Sequence, residues 1–156
     1  MRTPNEKSSI LYLDDDVQNL QSFAANFRRN YHVITTNSTI EAFGLIQNGG
    51  IDIVVTDQNM PSMSGIEFLE SVAAEYPQVQ RILFTGYSDL ISATEAVNKG
   101  KIFRIVNKPL DSEEISAALK AACDEVRAKE EKDKLIKDLR RQNQQFEFML
   151  RQRLLS

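Results

Sequence analysis

The sequence contains little cysteine, no tryptophan and no long apolar segment. Its one cysteine, Cys123, excludes an internal disulfide and a cysteine-based metal site, and its alanine-flanked position predicts a buried helix residue. No apolar run approaches the roughly 20 residues that a membrane-spanning helix needs. Residues 1–9 are polar and lack the apolar segment of a secretory signal, so we expect a cytoplasmic protein without a membrane partner.

The chain as a whole also has no large excess of positive or negative charge. The 19 Lys and Arg residues stand against 22 Asp and Glu residues, which gives a net charge of -3. This balance argues against whole-chain binding to nucleic acid or to an anionic membrane. Apolar residues make up 42% and charged residues 26% of the 156 positions, which excludes the disordered class. The length suits one compact domain with an appended segment.

Short apolar segments of β type alternate with longer segments whose apolar residues are three and four positions apart. The predicted strands are 10–13, 33–36, 51–56, 81–84 and 102–106. The predicted helices are 17–29, 39–48, 65–75, 89–99 and one that begins near Ser112. Because the central strands are nearly continuous aliphatic runs, both of their faces should be buried. The pattern predicts an α/β domain built on a five-stranded, doubly wound parallel sheet.

Polar residues follow four of the predicted strands. In chain order they are Asp14, Asp15 and Asp16, then Asp57, then Thr85, then Lys108 with Pro109. Each alone suits a helix cap, a turn or a solvent-exposed strand end. Together they favour a site, because ligands bind at the carboxyl ends of parallel strands. Crowded carboxylates repel one another unless a divalent cation neutralises them, and oxygen ligands favour Mg²⁺ or Mn²⁺ over zinc.

Four short segments together resemble the receiver domain of two-component response regulators. They are LDDD at 13–16, VTDQNMPSMSG at 55–65, FTG at 84–86 and NKP at 107–109. The combination is far more specific than any one segment. The resemblance covers about residues 8–125, and it implies a flavodoxin-like sheet with strand order 2-1-3-4-5.

The resemblance implies that Asp57 is the phosphoryl acceptor. Its donor would be a phosphohistidine on a histidine kinase or a phosphotransfer protein, and a carboxylate is an established nucleophile in such transfers. Asp14, Asp15 and Asp57 would hold Mg²⁺, with Mn²⁺ as the alternative ion, together with the backbone carbonyl of Asn59. The cation would offset the negative charge that gathers as the phosphoryl group approaches the carboxylate.

By the same resemblance, Lys108 contacts a phosphoryl oxygen and Thr85 is the switch residue. The Thr85 hydroxyl would move inward to donate a hydrogen bond to the phosphoryl group, and Gly86 would leave room for that group. The Lys108–Pro109 peptide bond is expected to be cis. Asp16 is expected to open the following helix rather than to bind the metal.

The sequence departs from the family pattern at Ile105. This position, three residues before the lysine, carries an aromatic side chain in the family, and its rotation accompanies the move of the switch hydroxyl. An isoleucine cannot make that rotation. Phe103 lies on the same strand face by the period of two and is a candidate substitute, with a plain packing role as the alternative. Tyr87, two residues after Thr85, is expected to slow hydrolysis of the phosphoryl group.

Residues 126–156 contain no proline or glycine and continue the last predicted helix. A heptad register places Ile136, Leu139, Asn143, Phe146 and Leu150 at a and d positions. One Asn at an a position is typical of a parallel two-stranded coiled coil, whereas apolar residues at g broaden the stripe toward a bundle. We expect homodimerisation through residues 126–156, and a helix folded back on its own domain is the alternative.

Charge divides unevenly between the two parts of the chain. Residues 127–156 contain nine basic and five acidic residues, a net of +4, and the preceding residues have a net of -7. The basic residues surround the helix and no helix-turn-helix pattern precedes it. A solvent-exposed coiled-coil surface is therefore favoured over a nucleic-acid contact.

Three functions are compatible with this sequence. The favoured one is a phosphorylation-dependent signalling switch, with no enzymatic turnover beyond its own phosphorylation and dephosphorylation. The second is a receiver-like scaffold that is not phosphorylated, which Ile105 would suit. The third is a Mg²⁺-dependent phosphohydrolase, which would need a capping insertion and an acid in place of Asn59. Because no output domain is recognisable, the chain either acts by binding or precedes an effector module.

Overall fold

The computed structural model describes residue 3 and residues 5–155. Along these residues the elements are β1 (Ser9–Leu13), α1 (Val17–Phe27), β2 (His32–Thr36), α2 (Thr39–Gln47), β3 (Ile53–Asp57), α3 (Gly65–Glu75), β4 (Gln80–Thr85), α4 (Leu90–Asn98), β5 (Arg104–Asn107) and α5 (Ser112–Leu155). A 3-10 turn, Tyr87–Asp89, precedes α4. Within this part of the chain, no helix has both the length and the apolarity that crossing a membrane requires.

The strands of the described chain form one parallel sheet in the order β2-β1-β3-β4-β5. This order confirms the predicted flavodoxin-like topology. Leu13 of β1 pairs with Thr56 of β3, and Asp57 pairs with Phe84 of β4. Asp14 therefore follows β1 at the level of Asp57, and the ends of the three central strands meet at one edge of the sheet.

Successive side chains of the strands pack on opposite faces of the sheet. Ile10 and Tyr12 belong to the core under α1 and the first part of α5, whereas Leu11 and Leu13 belong to the core under α2, α3 and α4. Both faces of the central strands are thus buried, as their aliphatic runs predict. Cys123 is buried in the first of these cores, as expected.

The edge strand β5 begins at Arg104, two residues later than the apolar pattern predicts. The chain leaves α4 through Gly100, whose φ is +73°. The backbone N–H groups of Lys101 and Ile102 then donate to the carbonyl of Ala96, at 2.9 and 3.4 Å. Because these amides close the end of α4, the regular strand and its alternation of faces start only at Arg104.

The loop between β3 and α3 is tied to the start of α3 by Gln58. The backbone carbonyl of Gln58 accepts from the N–H of Gly65 at 3.0 Å, and its side-chain Oε1 accepts from the N–H of Ile66 at 2.9 Å. The hydroxyl of Ser64 accepts from the N–H of Glu67 at 3.1 Å and so caps α3. These bonds hold the first turn of α3 against the end of β3.

Gly65 has no space for a side chain. A Cβ there would collide with the backbone carbonyl of Asp57 and would lie 2.8 Å from Cδ1 of Leu83. We expect Gly65→Ala to lower the free energy of unfolding by about 2 kcal/mol or more, because backbone cannot move aside cheaply. Urea unfolding measures the change.

Gly44→Ala in α2 is the matched control for this prediction. No atom lies within 4 Å of the added methyl group. Since alanine favours the helix more than glycine does, we expect stabilisation by about 0.5–1 kcal/mol. Equal changes in the two variants would contradict the close approach at Gly65.

Candidate functional site

Three carboxylates converge at the edge of the sheet where β1 and β3 end. Asp14 and Asp57 are buried, and Asp15 is exposed. One oxygen from each residue lies within 4.8 Å of the other two. The structure therefore brings together the acids that the sequence pattern selected from positions more than forty residues apart.

The crowding of these carboxylates affects the protonation of Asp15. Its pKa is raised, first because neighbouring atoms remove part of the water around the charged form of this exposed side chain, and then because of the hydrogen bond and the negative charge of Asp14. The charge of Asp57 acts in the same direction. Each of these effects disfavours three negative charges in one place, and a bound cation would remove the penalty.

Asp57 is held differently at its two oxygens. Oδ2 accepts a hydrogen bond from the backbone N–H of Asn59 at 3.1 Å. Oδ1 pairs with the ammonium group of Lys108. Although Oδ1 is buried, no described residue gives it a hydrogen bond of good geometry. Its remaining lone-pair capacity is therefore available to a cation or to an electrophile.

The residues at this edge fit a magnesium ion. The three carboxylates supply only oxygen atoms. Mg²⁺ prefers one or two carboxylates with water completing its octahedron, and exposed Asp15 leaves water access. Oδ1 of Asp57 is buried without a hydrogen-bond donor of good geometry among the described residues, and such an ion would satisfy it.

Asp14 is fixed by three hydrogen-bond donors. Its Oδ2 accepts from the hydroxyl of Tyr12 at 2.6 Å and from Nδ2 of Asn19 at 3.1 Å, and its Oδ1 accepts from the backbone N–H of Asp16 at 3.0 Å. Burial, with the hydrogen bond to Asp14, raises the pKa of the Tyr12 phenol, so Tyr12 is a neutral donor. The sequence alone did not indicate Tyr12 or Asn19. The available signal was that Tyr12, two residues before Asp14, shares its strand face.

Asp16 opens α1, as the sequence predicts. Its backbone is extended, and its carboxylate accepts from the backbone N–H of Gln18 at 2.9 Å. This is the usual geometry of an N-cap residue. The third acid of the run is therefore used locally, and the cluster of three carboxylates does not include it.

Thr85 and Lys108 lie side by side at the ends of β4 and β5. The backbone N–H of Lys108 donates to the carbonyl of Thr85 at 2.9 Å, and the Lys108–Pro109 bond is cis, as expected. Thr85 is fully buried, and its hydroxyl donates to the carbonyl of Gly86 at 3.3 Å. A Cβ built at Gly86 meets no atom within 4 Å, so there is open space beside the threonine.

The prediction that Phe103 shares a strand face with Ile105 is wrong. Phe103 packs against the core under α1 and α5, whereas Ile105 packs against the core under α2, α3 and α4. The reason is that β5 begins at Arg104, so the period of two does not extend back to Phe103. Phe103 instead lies beside the guanidinium of Arg104, 5.8 Å from the ring centre.

A second unit of the chain begins at Arg127 and consists of the remainder of α5. Its large apolar side chains are exposed in the monomer: Leu135, Ile136, Leu139, Phe146, Phe148, Met149, Leu150, Leu154 and Leu155. Four of them are at the predicted a and d positions, and Leu135 and Met149 are at g. Ser156, the last residue of the predicted dimerisation segment, lies outside the described residues.

Residues 10–120 match the family profile of the response regulator receiver domain. The transcriptional regulatory protein ZraR of Escherichia coli K12 is 30% identical over 119 residues, which are 76% of this chain and 27% of that protein. The hydrogenase transcriptional regulatory protein HoxA of Cupriavidus necator is 28% identical over 105 residues, 67% of this chain and 22% of that protein. The chain spans about a quarter of the length of these curated relatives.

Solved structures show the same likeness. A crystal structure described as an adenylate cyclase from Rhodopirellula baltica has a TM-score of 0.81 and 32% identity, covering 85% of this chain and 98% of that one. The signal receiver domain of an HD domain-containing protein from Pseudomonas fluorescens Pf-5 has a TM-score of 0.75 and 28% identity, covering 84% of this chain and 97% of that one.

Proposed function

The chain belongs to the response regulator receiver domain family, and from this we propose that it is a phosphoacceptor switch of a two-component phosphorelay. Members of this family are regulators rather than conventional enzymes. The observation that supports the proposal is the state of Asp57, which is buried beside two further carboxylates and paired with one lysine. A scaffold without phosphorylation chemistry would not need this arrangement.

In the proposed reaction the carboxylate of Asp57 attacks the phosphorus of a phosphohistidine on a histidine kinase or a phosphotransfer protein. A phosphorus–oxygen bond forms, the phosphorus–nitrogen bond breaks, and the imidazole leaves with the electron pair. The ammonium group of Lys108, which now pairs with Oδ1 of Asp57, then contacts a phosphoryl oxygen. The lysine thus offsets the negative charge of Asp57 before transfer and that of the phosphoryl group afterwards. The exchange would take place in the cytoplasm.

Asp14, Asp15, Asp57 and the backbone carbonyl of Asn59 are proposed to hold the magnesium ion. The ion would draw negative charge from the phosphoryl oxygens as they meet the carboxylate. Asp14 offers a fixed oxygen because three donors hold its carboxylate, and Asp15 offers an exposed one. A bound cation would favour the charged form of Asp15 and would so oppose the rise in its pKa.

Thr85 is proposed to couple phosphorylation to a change of conformation. Its hydroxyl is bonded to the neighbouring carbonyl of Gly86, a contact that a phosphoryl oxygen on Asp57 would outcompete because a charged acceptor is stronger. This change of hydrogen-bond partner would shift an existing equilibrium between two conformations of the domain rather than create a new conformation. Ile105 is partly buried against the core under α2, α3 and α4 and has no ring, so the coupling proceeds without the ring rotation of the family.

The proposal is tested with the purified full chain, acetyl phosphate and Mg²⁺. We expect the intact mass to rise by one phosphoryl group, and we expect peptide mapping to locate the group on Asp57. EDTA in place of Mg²⁺ should prevent the change. Absence of labelling by acetyl phosphate and by a panel of histidine kinases would favour the scaffold, and sustained release of phosphate from phosphate monoesters would favour the phosphohydrolase.

Mg²⁺ binding gives an independent prediction. Because the ion binds the folded state, Mg²⁺ at about 100 times its dissociation constant should raise the free energy of unfolding by about 2.7 kcal/mol. Asp15→Asn removes one charged ligand, and we expect affinity to fall by about tenfold or more. Isothermal titration calorimetry measures both proteins. Asp89→Asn, a half-buried acid outside the cluster, is the control that should bind as the wild type does.

The remainder of α5 is proposed to form a parallel homodimer. A helix that exposes a continuous apolar stripe in water gains most by covering it, and an identical helix supplies a matching stripe. Asn143 lies between Leu139 and Phe146 in the heptad, where it would pair with its copy and hold the two helices in register. The net charge of +4 on residues 127–156 repels an identical copy only weakly, because the charges surround the helix.

The relatives share a receiver domain, and their names refer to different output activities. The names of the matched proteins refer to transcriptional regulation, an adenylate cyclase and an HD domain, while the shared region is the receiver domain. We propose that phosphorylation of Asp57 acts on output through dimer contacts of this chain or through an effector joined to α5. Comparing partner binding before and after phosphorylation in the full-length gene product would separate the two.

A further inference from the structure

We propose that Tyr12 is a positioning residue for the metal site, whose hydroxyl holds the carboxylate of Asp14 so that one of its oxygens stays available to a divalent cation. This inference rests on the proposed function and extends it to a residue outside the acidic cluster. Tyr12 would not touch the ion or the reacting atoms and would act only through Asp14.

The hydrogen bond between the two residues is short and protected from water. The Tyr12 hydroxyl lies 2.6 Å from Oδ2 of Asp14, and both side chains are 1% exposed. A hydrogen bond to a charged acceptor is about twice as strong as a neutral one, and water cannot compete in a buried position. The contact is therefore strong enough to select one orientation of the carboxylate.

The tyrosine ring is itself fixed. It packs against Phe23 with ring centres 4.5 Å apart and against Phe84 at 5.5 Å. Because strand β1 and these two rings determine where the hydroxyl lies, the donor is in place before any ion arrives. Preorganised donors of this kind orient metal ligands and tune their affinity.

The two oxygens of Asp14 accept different numbers of hydrogen bonds. Each carboxylate oxygen has capacity for about two contacts. Among the described residues, Oδ2 already receives the Tyr12 hydroxyl and the Asn19 amide, whereas Oδ1 receives only the backbone N–H of Asp16. The remaining capacity is on Oδ1, which makes Oδ1 the oxygen left for a cation.

Tyr12→Phe tests the inference because it removes only the hydroxyl and keeps the ring packing. We expect Mg²⁺ affinity, measured by isothermal titration calorimetry on the full chain, to fall by about tenfold. Asn19→Ala removes the second donor to the same oxygen, and we expect it to weaken binding in the same direction. Val72→Ala, in the core on the opposite face of the sheet, is the structural control: it should lower the unfolding midpoint in EDTA while leaving Mg²⁺ affinity unchanged.

A spectroscopic measurement separates positioning from packing. The chain has no tryptophan and four tyrosines, so its near-ultraviolet absorption reports tyrosine environments. Mg²⁺ should draw charge from Asp14, weaken its pull on the Tyr12 hydroxyl and shift the tyrosine band. The shift should vanish in Tyr12→Phe and persist in Tyr87→Phe, because Tyr87 is exposed to solvent.

The outcomes distinguish this inference from the proposed function. If the wild type binds Mg²⁺ and Tyr12→Phe binds it within twofold, the positioning role is refuted and the proposed function stands. A Mg²⁺-induced tyrosine shift that survives in Tyr12→Phe also refutes it. If the wild type binds no Mg²⁺ at all, the proposed function and this inference fail together.

Discussion

Asp57→Asn is expected to abolish phosphorylation of the chain by acetyl phosphate in the presence of Mg²⁺. The amide has nearly the same shape as the carboxylate, and its oxygen can still accept the backbone N–H of Asn59. It carries no negative charge, however, so it lacks both the nucleophilicity and the attraction to the ion that transfer requires. The intact mass of the variant should stay unchanged under conditions that fully label the wild type.

Asp16→Asn is the matched control for this experiment. It removes a carboxylate from the same acidic run, yet asparagine is as good an N-cap as aspartate, so α1 keeps its first hydrogen bond. We expect labelling of Asp16→Asn at the wild-type rate within about twofold, because Asp16 is exposed and its carboxylate does not belong to the cluster. Labelling of Asp57→Asn at its usual level would show that another residue is the acceptor.

The second large effect is expected in the quaternary structure. Leu139→Glu combined with Phe146→Glu places two charges at d positions of the heptad, where the proposed dimer packs its core. Burying such a charge without a partner costs several kcal/mol, more than a short coiled coil supplies. We expect light scattering to give the mass of two chains for the wild type and of one chain for this variant.

Gln144→Glu combined with Gln145→Glu provides the control. It adds the same two negative charges to the same helix, at the b and c positions of the heptad, and should leave the dimer intact. Asn143→Leu should still associate but should lose the preference for a two-helix coiled coil. The reason is that the pair of Asn143 side chains, which specifies two helices, is gone. A wild type of one-chain mass at all concentrations would contradict the dimer and would favour the helix folded back on its own domain.

Much of the candidate site could be predicted from the sequence because a parallel sheet imposes strong constraints. Strands that run in one direction end at one edge, so residues that follow them meet there whatever their separation in the chain. Asp14 and Asp57 are the clearest example, since each directly follows or ends an aliphatic run that can only be a buried strand. The prediction that Asp16 is a helix cap rested on the family resemblance together with the local preference of aspartate for that position.

Other features could not be predicted because they depend on where an irregular segment begins. The face of Phe103 depends on the turn after α4, in which Ala96 accepts two amide hydrogen bonds and delays the strand. Nothing in the alternation of apolar residues signals that delay. The role of Gln58 is similar, since its side-chain bond to Ile66 exists only because α3 returns against the end of β3.

The sequence by itself determined the fold class and the acids at the sheet edge, because strand periodicity and residue order are properties of the chain alone, and its four motifs carried the resemblance to the family. Only the tertiary structure decided which donors hold those acids. The bond from Tyr12 to Asp14 needs a ring packed between Phe23 and Phe84, and the bond from Asn19 needs the first turn of α1 in its folded place. Hydrogen bonds are short and directional, so they follow from three-dimensional packing rather than from sequence order.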